Sequence, residues 1–318
     1  MTIRHLITSL IAPLIAVFAL TASATAPTPN ASAPLPNAPA PAPAASAPAA
    51  AAPARPALWK IADHDTTIYL FGTIHLLPRG VDWLHGPVAN AFDHADELMT
   101  ELPDLAPAEV AAAVLKYGAL PAGQNLRAML TPAQRGQLEA ALTALRVPLA
   151  YFDDKKPWVA AATIPILQLQ HAGYNVASGV EAGLDQRNAV LRHKRSGLET
   201  IAFQFGVFDS LSQPQQIEYL GAVLDALPQI DGEIRQMVAH WSRGDAAALA
   251  AQLNADQDSP QLAEALIFSR NRTWAGWIER RMKQPGTVFI AVGAGHLGGR
   301  GSVQDVLAKH GFKAARVQ

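Results

Sequence analysis

The sequence predicts an α/β domain: a mostly parallel central sheet with G-x-x-H turns at its strand ends and a large helical insertion or cap. Three observations carry this reading. Short β-prone runs lie near both ends of the domain and between helical stretches. The long middle spaces its apolar residues three and four apart. Two apolar runs, one near each end, lead straight into a Gly-x-x-His turn.

Taken in order, Leu58 to Ala62 and Thr67 to Phe71 read as two strands joined by Asp63-His64-Asp65-Thr66, a hairpin. Gly72-Thr73-Ile74-His75 follows at once. Val88 to Ala95 reads as a helix and Glu97 to Leu102 as a buried strand. Ala106 to about Arg195 is helical in pattern, with Thr131-Pro132 a capable start because proline suits the first helical position. After Ser196-Gly197, Leu198 to Ala202 reads as a short strand. Helical patterns resume from Leu211 through Met282, broken at Pro228, Gly244 and Ser259-Pro260. The end reverts to α/β character, with an apolar strand from Thr287 to Val292 and then Gly293-Ala294-Gly295-His296. A helix from Ser302 to His310 and a closing strand from Phe312 to Val317 follow.

Outside this domain the expectation is a leader and a spacer. Met1 to Leu20 opens with Arg4 and His5 and continues as an apolar stretch from Leu6. Ala22-Ser23-Ala24 and Ala24-Thr25-Ala26 then offer two overlapping cleavage sites. This is the layout of a Sec-type signal peptide over residues 1–26, and it implies a periplasmic or secreted protein. Residues 27–57 hold ten of the 24 prolines, mostly among alanines, and lack the apolar side chains to offset ordering entropy. They read as a disordered, semi-rigid linker, with the folded domain at 58–318.

Composition narrows the function classes. A formal net charge of −1 leaves no nucleic-acid footprint. No segment after the leader has the roughly 18 uninterrupted apolar residues of a membrane span, so none is expected once the leader is cleaved. With no cysteine, disulfides and thiol nucleophiles are excluded, and any metal must be held by nitrogen and oxygen. No H-E-x-x-H helix, G-x-S-x-G elbow or phosphate-loop pattern is present. An activated water is therefore the natural attacker if the protein is a hydrolase.

The two G-x-x-H turns concentrate the chemistry. In open α/β sheets, ligands sit in the crevice beyond the carboxyl ends of the strands. A glycine there lets the backbone turn sharply and present the next side chains to that crevice. His75 and His296 are thus predicted to meet, although more than two hundred positions separate them. Neutral imidazole ligates zinc and similar ions and also serves as a general base.

Leu70-Phe71-Gly72-Thr73-Ile74-His75 and Val292-Gly293-Ala294-Gly295-His296-Leu297 resemble the signature of the TraB/PrgY/GumN family, which includes the TIKI metalloproteases. Erythromycin esterase-like and ChaN-like proteins are thought to be its distant relatives. Met99-Thr100-Glu101-Leu102, Gly179-Val180-Glu181 with Asp185, Leu198-Glu199-Thr200 with Gln204, and Arg270-Asn271 are also similar to family segments. The resemblance implies a site of two histidines and a glutamate and, in the TIKI branch, divalent-metal-dependent peptide cleavage.

Each candidate has a chemical reason and a plainer alternative. His75 and His296 are expected as metal ligands or, without a metal, as an acid/base pair. Glu101, at the end of an apolar strand where an unpaired carboxylate is costly, is a third ligand or a base. The alternative for Glu101 is a salt bridge at the sheet rim. Glu181 and Asp185, four apart on one helix face, complete a coordination sphere or pair with Arg187 or Arg192. Glu199 ends a strand without a structural reason of its own. Arg270 is expected to steady an oxyanion or a substrate carboxylate, and Asn271 to support a ligand. Trp241, Trp274 and Trp277 read as core.

The resulting expectation is an exported, peptidase-like hydrolase using manganese, zinc or cobalt, with a peptide or protein as substrate. The alternative is a non-catalytic periplasmic protein that binds or sequesters a peptide, haem or metal.

Overall fold

The computed structural model describes residues 52–254 and 263–318. The leader and nearly all of the spacer lie outside these residues, as do Ser259 and Pro260. Chain packing begins at Ala54, inside the stretch read as linker. The Ala54 amide donates to the Asp82 carbonyl, the Arg55 amide donates to that of Ser242, and Ala54 and Ala57 are buried.

The sheet contains β1 (Leu58–Ala62), β2 (Thr66–Thr73), β4 (Glu97–Thr100), β6 (Lys194–Gly197), β7 (Gly286–Gly293) and β8 (Ala315–Arg316). Its order is β6-β4-β7-β2-β1-β8, with β6, β4, β7 and β2 mutually parallel and β1 antiparallel to β2 and β8. Two short strands, β3 (Leu77–Pro78) and β5 (Tyr174–Asn175), pair separately. The expected hairpin is present, its turn held by Asp63 Oδ1, which accepts the amides of Asp65 and Thr66.

One expected strand lies elsewhere. The ladder forms at Lys194–Gly197 rather than from Leu198 to Ala202. Thr200 instead caps the helix Ile201–Asp209, accepting the Phe203 amide, so residues beyond it turn helical. The charged Lys194 and Arg195 hid the strand because they lie on a sheet edge, where charge guards against unwanted pairing. Leu198 and Glu199 still donate their amides to the Thr100 and Glu101 carbonyls, extending the ladder to the site.

Alternation along the strands divides the core. On one face, Ile68, Leu70, Val288, Ile290 and Val292 pack against the helices Ser269–Arg281 and Val303–Lys309 through Trp274, Ile278 and Val306. On the other, Phe71, Leu98, Phe289 and Ala291 meet the large helical layer supplied by the middle of the chain. This second cluster is the expected cap, with Trp158, Phe205, Phe208 and Tyr219 at its centre.

Candidate functional site

The carboxyl ends of the four parallel strands bring the candidate residues together. β2 and β7 are neighbours, with Gly72 opposite Val292 and Thr73 opposite Gly293, so the two G-x-x-H turns leave the sheet side by side. They approach so closely that a Cβ on Gly72 would lie 3.1 Å from Ala294, tighter than ordinary contact. Glycine suits this position through space rather than backbone angle, since a side chain would make Ala294 give by a few tenths of an ångström. Trp241 closes the turn from the cap, donating its indole N–H to the Gly72 carbonyl at 2.7 Å.

Arg270 is the hub of the cluster. It lies one residue into the helix Ser269–Arg281, after a π-helical turn at Glu264–Phe268. Its Nε donates to Glu199 Oε1 at 2.8 Å, and Nη2 donates to Glu101 Oε2 at 2.7 Å and Glu199 Oε2 at 3.0 Å. Nη1 donates to the Leu266 carbonyl at 3.1 Å and lies 3.3 Å from His296 Nε2. Guanidinium carries five N–H groups; four of them donate to protein oxygens and the fifth is directed at His296 Nε2. With four donors committed to protein oxygens, Arg270 orders the groups around it.

Both carboxylates are correspondingly committed. Glu101 Oε1 accepts the Gly293 amide at 2.8 Å, tying the end of β4 to the second turn. Its other oxygen accepts from Arg270 and from Gln204 Nε2. Burial works against the charged form, but the Arg270 charge outweighs it and holds the Glu101 carboxyl down at about 2. Glu199 accepts from Arg270, Gln204 and the indole N–H of Trp274 at 2.9 Å. Gln204 and Trp274 are site residues by contact: the Trp274 ring lies 4.5 Å from His296 and 4.8 Å from the Arg270 guanidinium. Trp274 read as core from spacing alone, because a tryptophan on an apolar helix face looks the same whether or not its N–H has a buried acceptor.

The two imidazoles differ. His296 is buried, with Nδ1 2.7 Å from Asn271 Oδ1, while Asn271 Nδ2 donates to the Gly301 carbonyl at 2.7 Å. Burial first, and then the Arg270 charge, push His296 down to about 3, so it is neutral. The Nδ1 of His75 lies 2.8 Å from Glu181 Oε1. Burial opposes its charge, but Glu181 outweighs this and raises the ring above its ordinary value. Glu181 is held low in return by the same partner, against its own burial. The Nε2 of His75 is buried and makes no hydrogen bond. His75, Glu101, Arg270 and His296 are close enough for their charges to act on one another.

Asp185 is not part of this cluster: it pairs with Arg195, while Arg187 binds Asp93, so neither alternative partner read from the sequence is used.

For a divalent cation, the donors fit at the imidazoles. His75 Nε2 is a buried nitrogen without a partner, and His296 Nε2 faces the cluster 3.3 Å from Arg270 Nη1. Three carboxyl groups, Glu101, Glu181 and Glu199, gather around one arginine, Arg270. Glu101, however, is fully engaged by protein donors. Among the described residues, the one set of three ligand atoms within 4.8 Å of one another is the exposed Asp63, His64 and Asp65 of the first hairpin.

The model of the TraB/PrgY/gumN family matches residues 57–316. An uncharacterized protein of Treponema pallidum (strain Nichols) is 24% identical over 268 residues, covering 79% of this chain and 80% of its own. Metalloprotease TIKI1 of Danio rerio is 25% identical over 318 aligned residues. That match covers 80% of this chain but 62% of the zebrafish protein, less than two thirds of its length. No solved structure matches the chain.

Proposed function

Because this chain belongs to the TraB/PrgY/gumN family, we propose that it is a hydrolase, peptidase-like in substrate class, that works with a divalent cation at the strand ends. The family and the distant TIKI relative are consistent with a hydrolase. The observation that carries the cation is His75: one ring nitrogen tied to Glu181, the other buried and bare. In this reading His75 holds the ion through its bare Nε2, and His296 Nε2 joins it by giving up its contact with Arg270 Nη1. A bound divalent ion supplies Lewis acidity and brings water toward deprotonation near neutral pH.

The chain's own groups do the rest. Glu181 orients the His75 ring and raises its basicity, as carboxylates behind ligating histidines do. Arg270 keeps Glu101 ionised in a buried setting, so the cluster retains negative charge that attracts a cation. Glu101, through the Gly293 amide, holds the second turn against β4. The manganese, zinc or cobalt expected from the sequence suits such a nitrogen and oxygen donor set. The signal-peptide reading places this activity in the periplasm or outside the cell. Among the described residues no helix is long and apolar enough to cross a membrane.

The test is metal analysis of the purified protein together with peptidase assays on the wild type, His75→Ala and His296→Ala. Loss of both metal and activity in the variants is expected; metal content and activity unchanged in both would overturn the proposal. A second reading, a non-catalytic binder of metal, haem or peptide, draws on one observation: Arg270 and Glu101 spend their hydrogen bonds within the protein. Ligand binding that needs His75 and His296, with no turnover of a peptide library, would select it.

A further inference from the structure

Of the two imidazoles, His296 raises the question that the histidines alone do not answer: which of its nitrogens carries the proton. A neutral ring has one donor and one acceptor nitrogen, and only the acceptor can take a hydrogen bond or ligate a cation. At His75 the neighbour is a carboxylate. At His296 it is an amide, which can itself donate or accept and by itself fixes nothing.

The direction of that amide is decided from the other side. The Gly301 carbonyl can only accept, so the Asn271 group facing it must be the NH2, and Oδ1 is turned to the ring. Gly301 is held where it is by its backbone. Its φ is +75°, a region that favours glycine, and a Cβ there would lie 2.7 Å from the Phe268 ring. Phe268 ends the π-helical turn before Arg270, and π-helical turns often mark functional sites. The loop after the second G-x-x-H turn, the π-helical turn and the start of the following helix thus act as one unit on one ring.

We propose that Asn271 is a positioning residue that selects the Nδ1–H tautomer of His296 and so keeps Nε2 as an acceptor facing the cluster. An acceptor at Nε2 takes the Arg270 Nη1–H, 3.3 Å away. The opposite tautomer would set two N–H groups against each other there and two acceptors against each other at Asn271. Each mismatch in a buried site carries the desolvation cost of an unpaired polar group. An asparagine rather than an aspartate also fits the Gly301 carbonyl, which needs a donor facing it. The inference builds on the hydrolase reading for its purpose, but its test does not depend on substrate or metal.

The experiment is long-range proton–nitrogen NMR on the full chain with 15N-labelled histidine at neutral pH. His296 is assigned from the signal lost in His296→Gln. The wild type is expected to show a single neutral Nδ1–H form. Asn271→Asp, which keeps an acceptor, should keep Nδ1 protonated, and Asn271→Leu, similar in size with no acceptor, should shift the ring toward Nε2–H or a mixture. An Nε2–H signal in the wild type, or an unchanged tautomer in Asn271→Leu, overturns the proposal and leaves the hydrolase reading standing. If Asn271→Leu does not fold, Gly301→Ala perturbs the same amide from outside the ring's contacts and is judged by the same spectrum. With a peptide substrate, Asn271→Leu should lower kcat by roughly tenfold or more with little change in KM.

Discussion

Gly179 lies directly against the backbone of His75: a Cβ there would overlap the His75 carbonyl oxygen and come within 2.7 Å of its carbon. The next amide, that of Val180, donates to the Ile74 carbonyl at 3.0 Å. Together these contacts clamp the start of the helix Val180–Leu191 onto the first G-x-x-H turn. That is how Glu181, on the helix's first turn, reaches the His75 ring.

Gly179→Ala should therefore destabilise the fold by about 1 to 3 kcal/mol, the usual cost of forcing a methyl into a packed site. Differential scanning calorimetry reads it as a lowered Tm. A variant as stable as the wild type would show that the turn and helix are not clamped as described.

Glu181→Gln keeps the size of the side chain but removes the charge that raises His75. Activity, or cation affinity measured by titration calorimetry, should fall about 10- to 100-fold, as when a partner behind a ligating histidine is removed. Kinetics and binding both equal to the wild type would separate Glu181 from the site's function.

Arg270→Lys retains a positive charge but has three N–H donors in place of five, in a different geometry. It leaves Glu101 and Glu199 under-satisfied in a buried setting, where each side chain is at most 9% exposed. The expected loss is about 3 to 5 kcal/mol, the cost of breaking a buried ion pair. Urea unfolding measures it, and a midpoint within error of the wild type would refute it.

Trp274→Phe isolates one hydrogen bond. The ring still packs, but Glu199 Oε1 loses the indole donor and keeps Arg270 Nε. A loss of about 1 to 3 kcal/mol is expected for the neighbouring acceptor left short of a partner. Equal stability in urea would mean that the indole N–H contributes nothing net.

The cap has its own acid-sensitive contact. Arg127 donates through Nε and Nη2 to the two oxygens of Asp153 at 2.7 and 2.6 Å, with the side chains 20% and 19% exposed. These hydrogen bonds hold the Asp153 carboxyl below its ordinary value. A carboxyl depressed by folding stabilises above its unfolded pKa of about 4, and that stability is lost as pH falls through the folded value. Asp153→Asn should cost roughly 1 kcal/mol at pH 7, discounted for partial solvent screening, and the gap to wild type should narrow below about pH 4. A gap that stays constant or widens on acidification would contradict the pairing.

Much of this architecture is legible in the linear chain. The hairpin and the apolar run of β7 follow from composition and alternation, and the glycines after β2 and β7 announce turns wherever the strands lie. The two histidines could be singled out because each follows a buried-looking strand directly. Glu101 could be singled out because a carboxylate ending such a strand needs a partner. Lys194–Gly197 was not legible as a strand, since an edge strand with charged residues has no apolar alternation to show.

The chain order alone thus determines which residues stand at the ends of strands, because local periodicity and glycine punctuation act over a few positions. What each does there was decided only by the tertiary structure. Glu199 and Gln204 come from one segment and Arg270 and Trp274 from another, and they show their roles only where their hydrogen bonds close on one another. A buried polar group must be satisfied by whatever the fold brings within about 3 Å. Strand order and helix packing choose those neighbours. For that reason Arg270 spends four N–H groups on protein oxygens, Asp185 pairs outside the cluster, and His75 Nε2 remains bare.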